Sequence, residues 1–395
     1  MQGWKDILSL QDMWTRENAS QYRLSVEDAI ILYRDAPLSE IRRSANKRRK
    51  VMHPENEVTY LIDRNVNYTN VCTINCQFCS FYRPPGHSES YTQSLEEISL
   101  RVSELEEIGG SRILMQGGVN PDLPIEWYEK LISNLKERHP NILLDCFSPI
   151  EIEGIADVSG ISTIDVLTKF RDSGADGLPG GGAEMLVDEV RNDVSPKKHS
   201  AHSWMRIMQE AQSLGMTTSA TNVIGFGESI QQRIEHMDFV RESQDFAISS
   251  WNNGFTSFIS WPVQLEVNSF GRRNKGMNRI ELGSGSSEYL RHVAISRLFL
   301  DNVEHIQASW PTMGMDVAQM ALLGGADDAG STMMEENVVS ASGTQKMEAT
   351  EEELQRIIIR SGFTPKLRNS KYEIQEREIL SPSANDLACP IPIQE

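Results

Sequence analysis

Three closely spaced cysteines, Cys72, Cys76 and Cys79, are the residues of this chain whose type and spacing point most directly to chemistry. They form the pattern C-x-x-x-C-x-x-C in NYTNVCTINCQFCSFYRPPG, directly after a predicted strand. Three thiolates on one short loop can bind one corner of a cube-shaped iron–sulfur cluster and leave its fourth iron free to bind a small molecule. A zinc site with His87 as the fourth ligand, or a chance grouping of cysteines, remains the alternative.

The other two cysteines, Cys146 and Cys389, stand alone. An odd number of cysteines with one tight cluster is not a disulfide framework and indicates a reducing compartment. The chain has 38 basic and 56 acidic residues and a net charge of −18, which disfavours nucleic acid as a partner. No apolar run reaches the roughly 18 residues of a membrane span, and the first residues lack the order of a secretory signal. We therefore expect a cytoplasmic protein.

The elements that must position the cysteines alternate between strand-like and helical patterns from about residue 58 onward. VTYLI, RILMQ, NILLDCF, MTTSATNVI, FTSFISW and HIQASW are typical of buried strands, and amphipathic helical stretches separate them. Seven or eight such units over about 280 residues predict an α/β fold with a TIM-like (β/α) barrel. An open doubly wound sheet is the alternative. Ser94 with Glu97, and Thr350 with Glu353, predict capping boxes at two helix starts.

The cysteine spacing, together with the aromatic Phe78 before the last cysteine, resembles the radical S-adenosylmethionine (SAM) superfamily. The resemblance implies a radical SAM barrel and a [4Fe–4S] cluster held by Cys72, Cys76 and Cys79. It also implies that SAM binds the open iron with Phe78 beside its adenine. An external one-electron reductant of the flavodoxin or ferredoxin type would supply the electron that splits SAM and gives a 5′-deoxyadenosyl radical.

Short motifs at the predicted ends of later strands resemble the parts of the superfamily that contact SAM. The clearest is a Gln-Gly-Gly motif after the second predicted strand, where two glycines would let the backbone approach a ligand closely. The structural alternatives are that the glycines form plain turns and that Glu184 is only a charge in the first turn of a helix. The cofactor-binding residues implied by the resemblance, besides Phe78, are Gln116, Gly117, Gly118, Ser148, Gly181 and Glu184.

Longer segments, including LMQGGVNPDLP, LPGGGAEMLVDEVR, IQASWPTMG and GSTMMEENVVSASG, resemble a subgroup of menaquinone and deazaflavin biosynthesis enzymes over roughly residues 50 to 345. Within it, FYRPPG and DRNVNYTNVC favour the dehypoxanthine futalosine cyclases of the futalosine route to menaquinone. The resemblance implies hydrogen abstraction from the sugar of dehypoxanthine futalosine and ring closure onto its benzoate ring. The alternatives are the sibling aminofutalosine synthase or deazaflavin (FO) synthase activities, and a non-catalytic zinc or iron–sulfur binding module.

Substrate contacts are expected from polar and aromatic residues on the same rim. Arg83 is the expected partner of the substrate carboxylate, and Asp327 and Glu336 are the candidates for the general base. For Trp310, packing in the core is the alternative to stacking on the aromatic substrate. The substrate-binding candidates are Tyr68, Asn70, Arg83, Gln264, Gln307, Ser309 and Trp310.

The predicted organisation has four parts. They are a helical extension (1–57), the radical SAM core with the cluster loop (58–262), the substrate-side part of the barrel (263–345) and a C-terminal α/β extension (346–395). The tail is predicted to be disordered after about residue 375. The chain departs from the subgroup at Phe226, where a polar pair with histidine is common, and around Leu265, where prolines are missing.

Overall fold

In the computed structural model, residues 3–335, 337–338, 341 and 348–382 are described. The helices within these residues are α1 (Trp4–Gln11), α2 (Val26–Asp35), α3 (Leu38–Met52), α4 (Leu95–Glu107), α5 (Ile125–Arg138), α6 (Pro149–Ser159), α7 (Thr163–Ser173), α8 (Asp188–Val194), α9 (Ala201–Ser213), α10 (Ile230–Trp251), α11 (Ser269–Arg273), α12 (Ser286–Phe299), α13 (Trp310–Met313), α14 (Met315–Leu322) and α15 (Glu351–Arg360). The strands there are β1 (Glu57–Leu61), β2 (Asp63–Val66), β3 (Arg112–Met115), β4 (Leu143–Cys146), β5 (Gly177–Leu178), β6 (Thr217–Ile224), β7 (Phe255–Pro262), β8 (His305–Gln307), β9 (Asp328–Ser331), β10 (Thr364–Arg368) and β11 (Ile374–Gln375).

The strands form one sheet in the order β11-β10-β1-β9-β8-β7-β6-β5-β4-β3-β2. All neighbouring strands in the group β1 to β10 pair in parallel. Among the described strands, only β11 runs antiparallel, against β10. β1 pairs with β9, whereas β2, one residue further along the chain, pairs with β3. The N–H of Asn65 also donates to the carbonyl of Met334 at 2.9 Å. Both ends of the curled sheet therefore meet at the extended segment 57–66.

This architecture confirms the predicted α/β barrel. Strands β1 to β9 are mostly buried, as their apolar runs require, and helices separate most of them along the chain as in other (β/α) barrels. Because the barrel strands are parallel, residues that follow them lie at one end of the barrel and residues that precede them lie at the other. No helix in the described ranges is long and apolar enough to cross a membrane.

Local sequence accounts for several helix starts. At α4 the hydroxyl of Ser94 accepts the N–H of Glu97 at 3.3 Å, and the Glu97 carboxylate accepts the N–H of Ser94 at 2.7 Å. Thr350 and Glu353 make the same reciprocal pair at α15, with distances of 3.2 and 2.9 Å. Both predicted capping boxes are confirmed, because the four atoms needed lie within one helical turn.

The C-terminal extension closes the amino end of the barrel. β10 continues the sheet beside β1, and the chain after it brings Tyr372 onto His305, with ring centroids 3.7 Å apart and planes within 4°. Residues beyond β11 also make defined contacts, because Arg377 pairs with Glu351 at 2.7 Å. The described part of the chain extends to residue 382, and residues 383–395 lie outside the described ranges.

Candidate functional site

The loop that carries the three cysteines follows β2 and is joined by backbone hydrogen bonds to the chain segments after β3, β5 and β7. The N–H of Thr73 donates to the carbonyl of Val119 at 3.1 Å, and that of Gln77 to the carbonyl of Val194 at 2.9 Å. The N–H of Phe270 donates to the carbonyl of Gln77 at 2.8 Å. These partners follow β3, β5 and β7, so the loop is held in position from several sides at the carboxyl ends of the strands.

The thiols of Cys72, Cys76 and Cys79 are half-buried and lie close enough to influence one another. Burial, reinforced by the neighbouring thiols, raises the pKa of Cys79 to about 11, and burial also raises that of Cys76. Three adjacent thiolates repel one another, so their ionised form requires the positive charge of bound metal. The donor set therefore fits a metal group.

The spacing of the thiols argues against the zinc alternative. Four ligands on one zinc ion at about 2.3 Å have sulfur atoms about 3.8 Å apart. In the described part of the chain, no three of these thiols and the His87 ring nitrogens come within 4.8 Å of one another. The ring of His87 instead accepts the N–H of Glu89 at 3.1 Å.

Phe78 lies on a small apolar cluster beneath the cysteine loop. Its ring centroid is 5.2 Å from that of Phe226, which in turn packs edge-on against Phe270 at 5.4 Å. Leu265 packs against the same cluster. Both departures from the subgroup pattern therefore contribute apolar side chains to one surface, and that surface supports Phe78.

The glycines after β3 and β5 are required by close packing within the chain itself. A Cβ on Gly118 would lie 2.1 Å from the carbonyl oxygen of Val71 and 2.7 Å from Cβ of Cys72, and one on Gly117 would lie 2.7 Å from the Tyr68 ring. The Gly-Gly pair thus lets the cysteine loop approach β3. A Cβ on Gly181 would lie 2.4 Å from Nε2 of Gln116 and 3.3 Å from Cβ of Ser148, so three of the predicted cofactor-binding residues do meet.

A buried carboxylate that the sequence analysis missed connects several predicted residues. Glu151 accepts hydrogen bonds from the Tyr68 hydroxyl at 2.8 Å, the N–H of Gly117 at 2.8 Å and the Ser148 hydroxyl at 2.7 Å. Burial raises the pKa of Glu151 to about 7 against the lowering effect of these donors. The S-x-x-E spacing of Ser148 and Glu151 at the start of α6 is the signal that could have identified it.

Glu184 is held by cations that the sequence analysis also missed. Its carboxylate lies 2.7 Å from Nζ of Lys198 and 3.7 Å from the guanidinium of Arg191. Burial alone would lower the pKa of Lys198, but Cys76 and Glu184 outweigh it, so the pKa is raised. The Lys198 ammonium also lies 5.5 Å from the centroid of the Phe78 ring. One group of charges thus borders both the cysteine loop and Phe78. No sequence motif marks Lys198.

Asn70 and Arg83 stabilise the cysteine loop. The amide of Asn70 donates to the carbonyl of Glu89 at 3.0 Å and accepts the N–H of Tyr91 at 2.9 Å. Arg83 pairs with Glu89 at 2.7 Å and donates to the carbonyls of residues 80–82 at 3.0 to 3.4 Å. The guanidinium of Arg83 therefore binds its own turn and Glu89, and a contact with a substrate carboxylate stays a prediction. The buried Tyr68 is likewise committed to Glu151.

The remaining substrate-binding candidates lie where β7 and β8 end. The amide of Gln264 donates to the carbonyl of Pro262 at 2.9 Å, and the hydroxyl of Ser309 lies 2.9 Å from that of Thr312. Gln307 lies beside Gly330, whose added Cβ would be 3.2 Å from its amide nitrogen. Trp310 is 1% exposed and its indole N–H donates to the carbonyl of Ser331 at 2.9 Å. The packing interpretation of Trp310 therefore fits its position.

The candidate base Asp327 lies at the wrong end of the barrel. It immediately precedes β9, so it belongs to the amino ends of the strands, whereas the cysteine loop follows β2. Its carboxylate pairs with Arg297, with His305 Nδ1 at 2.6 Å and with His53 Nε2 at 3.3 Å. These ligand atoms are close enough for a metal ion, but Arg297 already supplies the positive charge. Glu336, the other candidate, lies outside the described residues.

Comparison with known proteins agrees with this geometry. Residues 66–240 match the radical SAM superfamily and residues 252–380 match the CofH/MqnC C-terminal region. The cyclic dehypoxanthine futalosine synthase of Halalkalibacterium halodurans is 45% identical over 89% of this chain and 91% of that protein. The aminodeoxyfutalosine synthase of Thermus thermophilus is 33% identical over 89% of this chain and 92% of that protein.

A solved structure supports the fold assignment. The crystal structure of HydG, a maturase of the [FeFe]-hydrogenase, superposes with a TM-score of 0.69 over 92% of this chain and 76% of that chain, at 13% sequence identity. At that identity the likeness concerns the fold alone, and it agrees with the curled parallel sheet described above.

Proposed function

Because this chain belongs to the radical SAM superfamily and to its CofH/MqnC branch, we propose that it converts dehypoxanthine futalosine to cyclic dehypoxanthine futalosine in menaquinone biosynthesis. The observation that carries the proposal is the 45% identity to a cyclic dehypoxanthine futalosine synthase over 89% of the chain, together with an intact three-cysteine loop. The sibling aminodeoxyfutalosine synthase is less similar, at 33%. Radical SAM enzymes use a [4Fe–4S] cluster and SAM, and Cys72, Cys76 and Cys79 form the expected motif.

In this proposal the thiols of Cys72, Cys76 and Cys79 hold the cluster. When bound, the cluster and SAM together supply the electron and the 5′-deoxyadenosyl group that remove a hydrogen atom from the substrate sugar. Phe78 lines the adenine side of the SAM pocket. The other residues proposed to line it are Gln116, Gly117, Gly118, Ser148, Gly181 and Glu184. A Cβ added to Gly181 would lie 2.4 Å from Nε2 of Gln116 and 3.3 Å from Cβ of Ser148, and the meeting of these three residues supports their assignment to one pocket.

The chain itself must orient the substrate and exclude water. The sugar carbon and the aryl carbon that become bonded must be held at near-attack distance, which supplies much of the rate advantage of a ring closure. Gln264 follows β7, Gln307 ends β8 and Ser309 follows β8, and these three residues are proposed to line the substrate side. The apolar cluster of Phe226, Phe270 and neighbouring side chains keeps water from the base of the cysteine loop.

The proposed partners are the small-molecule substrate and an external one-electron reductant of the flavodoxin or ferredoxin type, in the cytoplasm. The reductant is required because the radical SAM family depends on an outside source of electrons.

The test is anaerobic turnover of the cluster-loaded protein with dithionite, SAM and dehypoxanthine futalosine, followed by mass spectrometry. We expect 5′-deoxyadenosine together with a substrate product lighter by two hydrogens. Parallel reactions with the substrates of aminofutalosine synthase and deazaflavin synthase test the sibling activities. Formation of 5′-deoxyadenosine with product from a sibling substrate alone would contradict the cyclase assignment, and a cluster-loaded protein that does not cleave SAM would contradict the family mechanism.

A further inference from the structure

The polar segment after β7, residues 263–285, places one arginine across the carboxyl ends of β7 and β8. The guanidinium of Arg279 donates to the side-chain oxygen of Gln264 and, at 3.2 Å, to the carbonyl of Thr312. The hydroxyl of Thr312 in turn lies 2.9 Å from that of Ser309. Arg279 therefore completes a connected polar group with two of the residues proposed to line the substrate side.

Arg279 is half-buried and forms no ion pair in the described part of the chain, whereas four other cations near the carboxyl end pair with carboxylates at 2.9 Å or less. These pairs are Arg64 with Glu335, Arg83 with Glu89, Lys198 with Glu184 and Arg233 with Glu228. Lys197 and Arg272 also lack a described ion pair, but both are exposed. Among the described residues, no carboxylate oxygen lies within 4.0 Å of a guanidinium nitrogen of Arg279. Its two hydrogen bonds go to neutral oxygens and use two of five N–H groups.

The backbone at Arg279 is anchored in a defined position. Its carbonyl accepts the N–H of Ser284 at 2.7 Å and the Ser284 hydroxyl at 3.1 Å. Ser284 is fully buried against the loop after β6, where a Cβ added to Gly225 would lie 2.6 Å from Cβ of Ser284. A side chain positioned in this way loses less conformational freedom when it binds a ligand.

We infer that Arg279 is the binding residue for the carboxylate of the substrate. This inference rests on the proposed function, from which it takes a substrate that carries a benzoate group. A guanidinium presents a planar pair of N–H donors that matches a carboxylate in a bidentate fashion. Gln264 and Thr312 orient that plane, and the nearby Ser309 hydroxyl offers a further donor. Arg83, the sequence-based candidate for this role, is occupied by Glu89 and the turn carbonyls.

The experiment measures ligand binding without turnover. Isothermal titration of cluster-loaded protein with SAM and no reductant compares dehypoxanthine futalosine with its carboxamide analogue, in which the carboxylate is replaced. In Arg279→Gln we expect the Kd for the acid to rise roughly 10- to 100-fold, because a charge-assisted pair is lost. The Kd for the carboxamide should change by less than about twofold. Arg279→Lys should bind the acid with intermediate affinity, because it retains the charge but not the planar fork.

Arg272→Gln is the matched control, because Arg272 lies in the same segment, is exposed and bonds only to the Ser269 hydroxyl in its own helix among the described contacts. Its Kd values should equal those of the unaltered protein, and the Kd for SAM should be unchanged in every variant. The inference is overturned if Arg279→Gln binds the acid normally, or if it weakens the acid and the carboxamide equally. If the unaltered protein binds the substrates of the sibling enzymes and does not bind dehypoxanthine futalosine, the proposed function fails. This result is distinct from a failure of the inference about Arg279.

Discussion

The two ends of the barrel both carry dense groups of charged and aromatic side chains, but these groups are completed in different ways. At the amino end, Asp327 is paired with Arg297, His305 and His53, and Asp328 is paired with Arg368. At the carboxyl end, the thiols of the cysteine loop require an added positive group to ionise together, and the described contacts of Arg279 include no carboxylate. A group whose charges are satisfied by the chain stabilises the fold, whereas a group that needs another partner indicates a binding site.

The buried carboxylates show the same contrast. Burial by itself would raise the pKa of Asp327, but Arg297 and the two histidines outweigh it and hold the pKa well below its usual range. Glu151, beside the cysteine loop, is surrounded by neutral donors, so burial prevails and raises its pKa to about 7. The charge of the neighbours therefore decides which protonation state each end of the barrel favours.

The largest expected effect is the loss of the cluster in Cys76→Ala. Removal of one of three thiol ligands should abolish cluster binding, so iron content should fall from about four per chain to near zero and 5′-deoxyadenosine formation should stop. Iron analysis and mass spectrometry measure both. Cys146→Ala is the control, because Cys146 is buried in β4 away from the loop. A Cys76 variant with full iron content would contradict the assignment of the ligands.

Asp327→Asn should destabilise the protein by about 3–5 kcal/mol at neutral pH, because it leaves the buried Arg297 without its counter-charge. Since the pKa of Asp327 is lowered in the folded state, this stabilisation is present above about pH 4 and is lost as the pH falls below that value. Urea unfolding from pH 3 to 7 measures it.

The exposed Asp157→Asn is the control for Asp327→Asn and should leave stability unchanged. The Kd for SAM should be the same in both variants, because Asp327 lies at the opposite end of the barrel from the cysteine loop. A selective loss of SAM or substrate binding in folded Asp327→Asn would contradict the division between the two ends.

Glu151→Gln should change how stability depends on pH. The folded state keeps a proton on Glu151 up to about pH 7, whereas the unfolded chain releases it near its ordinary pKa of 4.5. The unaltered protein therefore loses stability between about pH 4.5 and 7, and the variant lacks this contribution. In urea unfolding, the free energy of unfolding of the unaltered protein should fall by about 2–3 kcal/mol relative to that of the variant from pH 5 to pH 8. An exposed control, Glu96→Gln, should show no such trend.

The smallest expected effect is that of Trp310→Phe. The substitution removes the indole hydrogen bond to the Ser331 carbonyl and should cost about 1 kcal/mol of stability. If Trp310 packs in the core, the KM for substrate stays unchanged. A rise in KM without loss of stability would instead support the stacking role. Tyr82→Phe changes a half-buried aromatic residue of the cysteine loop. Its stability and KM provide the comparison at the carboxyl end of the barrel.

Much of this molecule could be predicted from local patterns. The alternation of apolar strands and amphipathic helices predicted the barrel, because each element buries one face by its own periodicity. The cysteine spacing predicted the cluster loop, because all three ligands lie within eight residues. The capping boxes of Ser94 and Thr350 were predicted for the same reason, since each needs only four neighbouring residues.

The three-dimensional arrangement decided the rest. Tyr68 and Glu151 are 83 positions apart in sequence and meet only because β2 and β4 end on the same side of the barrel. Arg279 contacts Gln264 and Thr312 because a polar segment folds across two strand ends, and no periodicity marks that path. Asp327 follows a Gly-Gly turn, and the sequence alone does not distinguish a turn that ends one strand from a turn that precedes the next. The residue types and local spacing thus determined the elements and the metal-binding loop, while the partners of each charged group depended on contacts that exist only after the barrel closes.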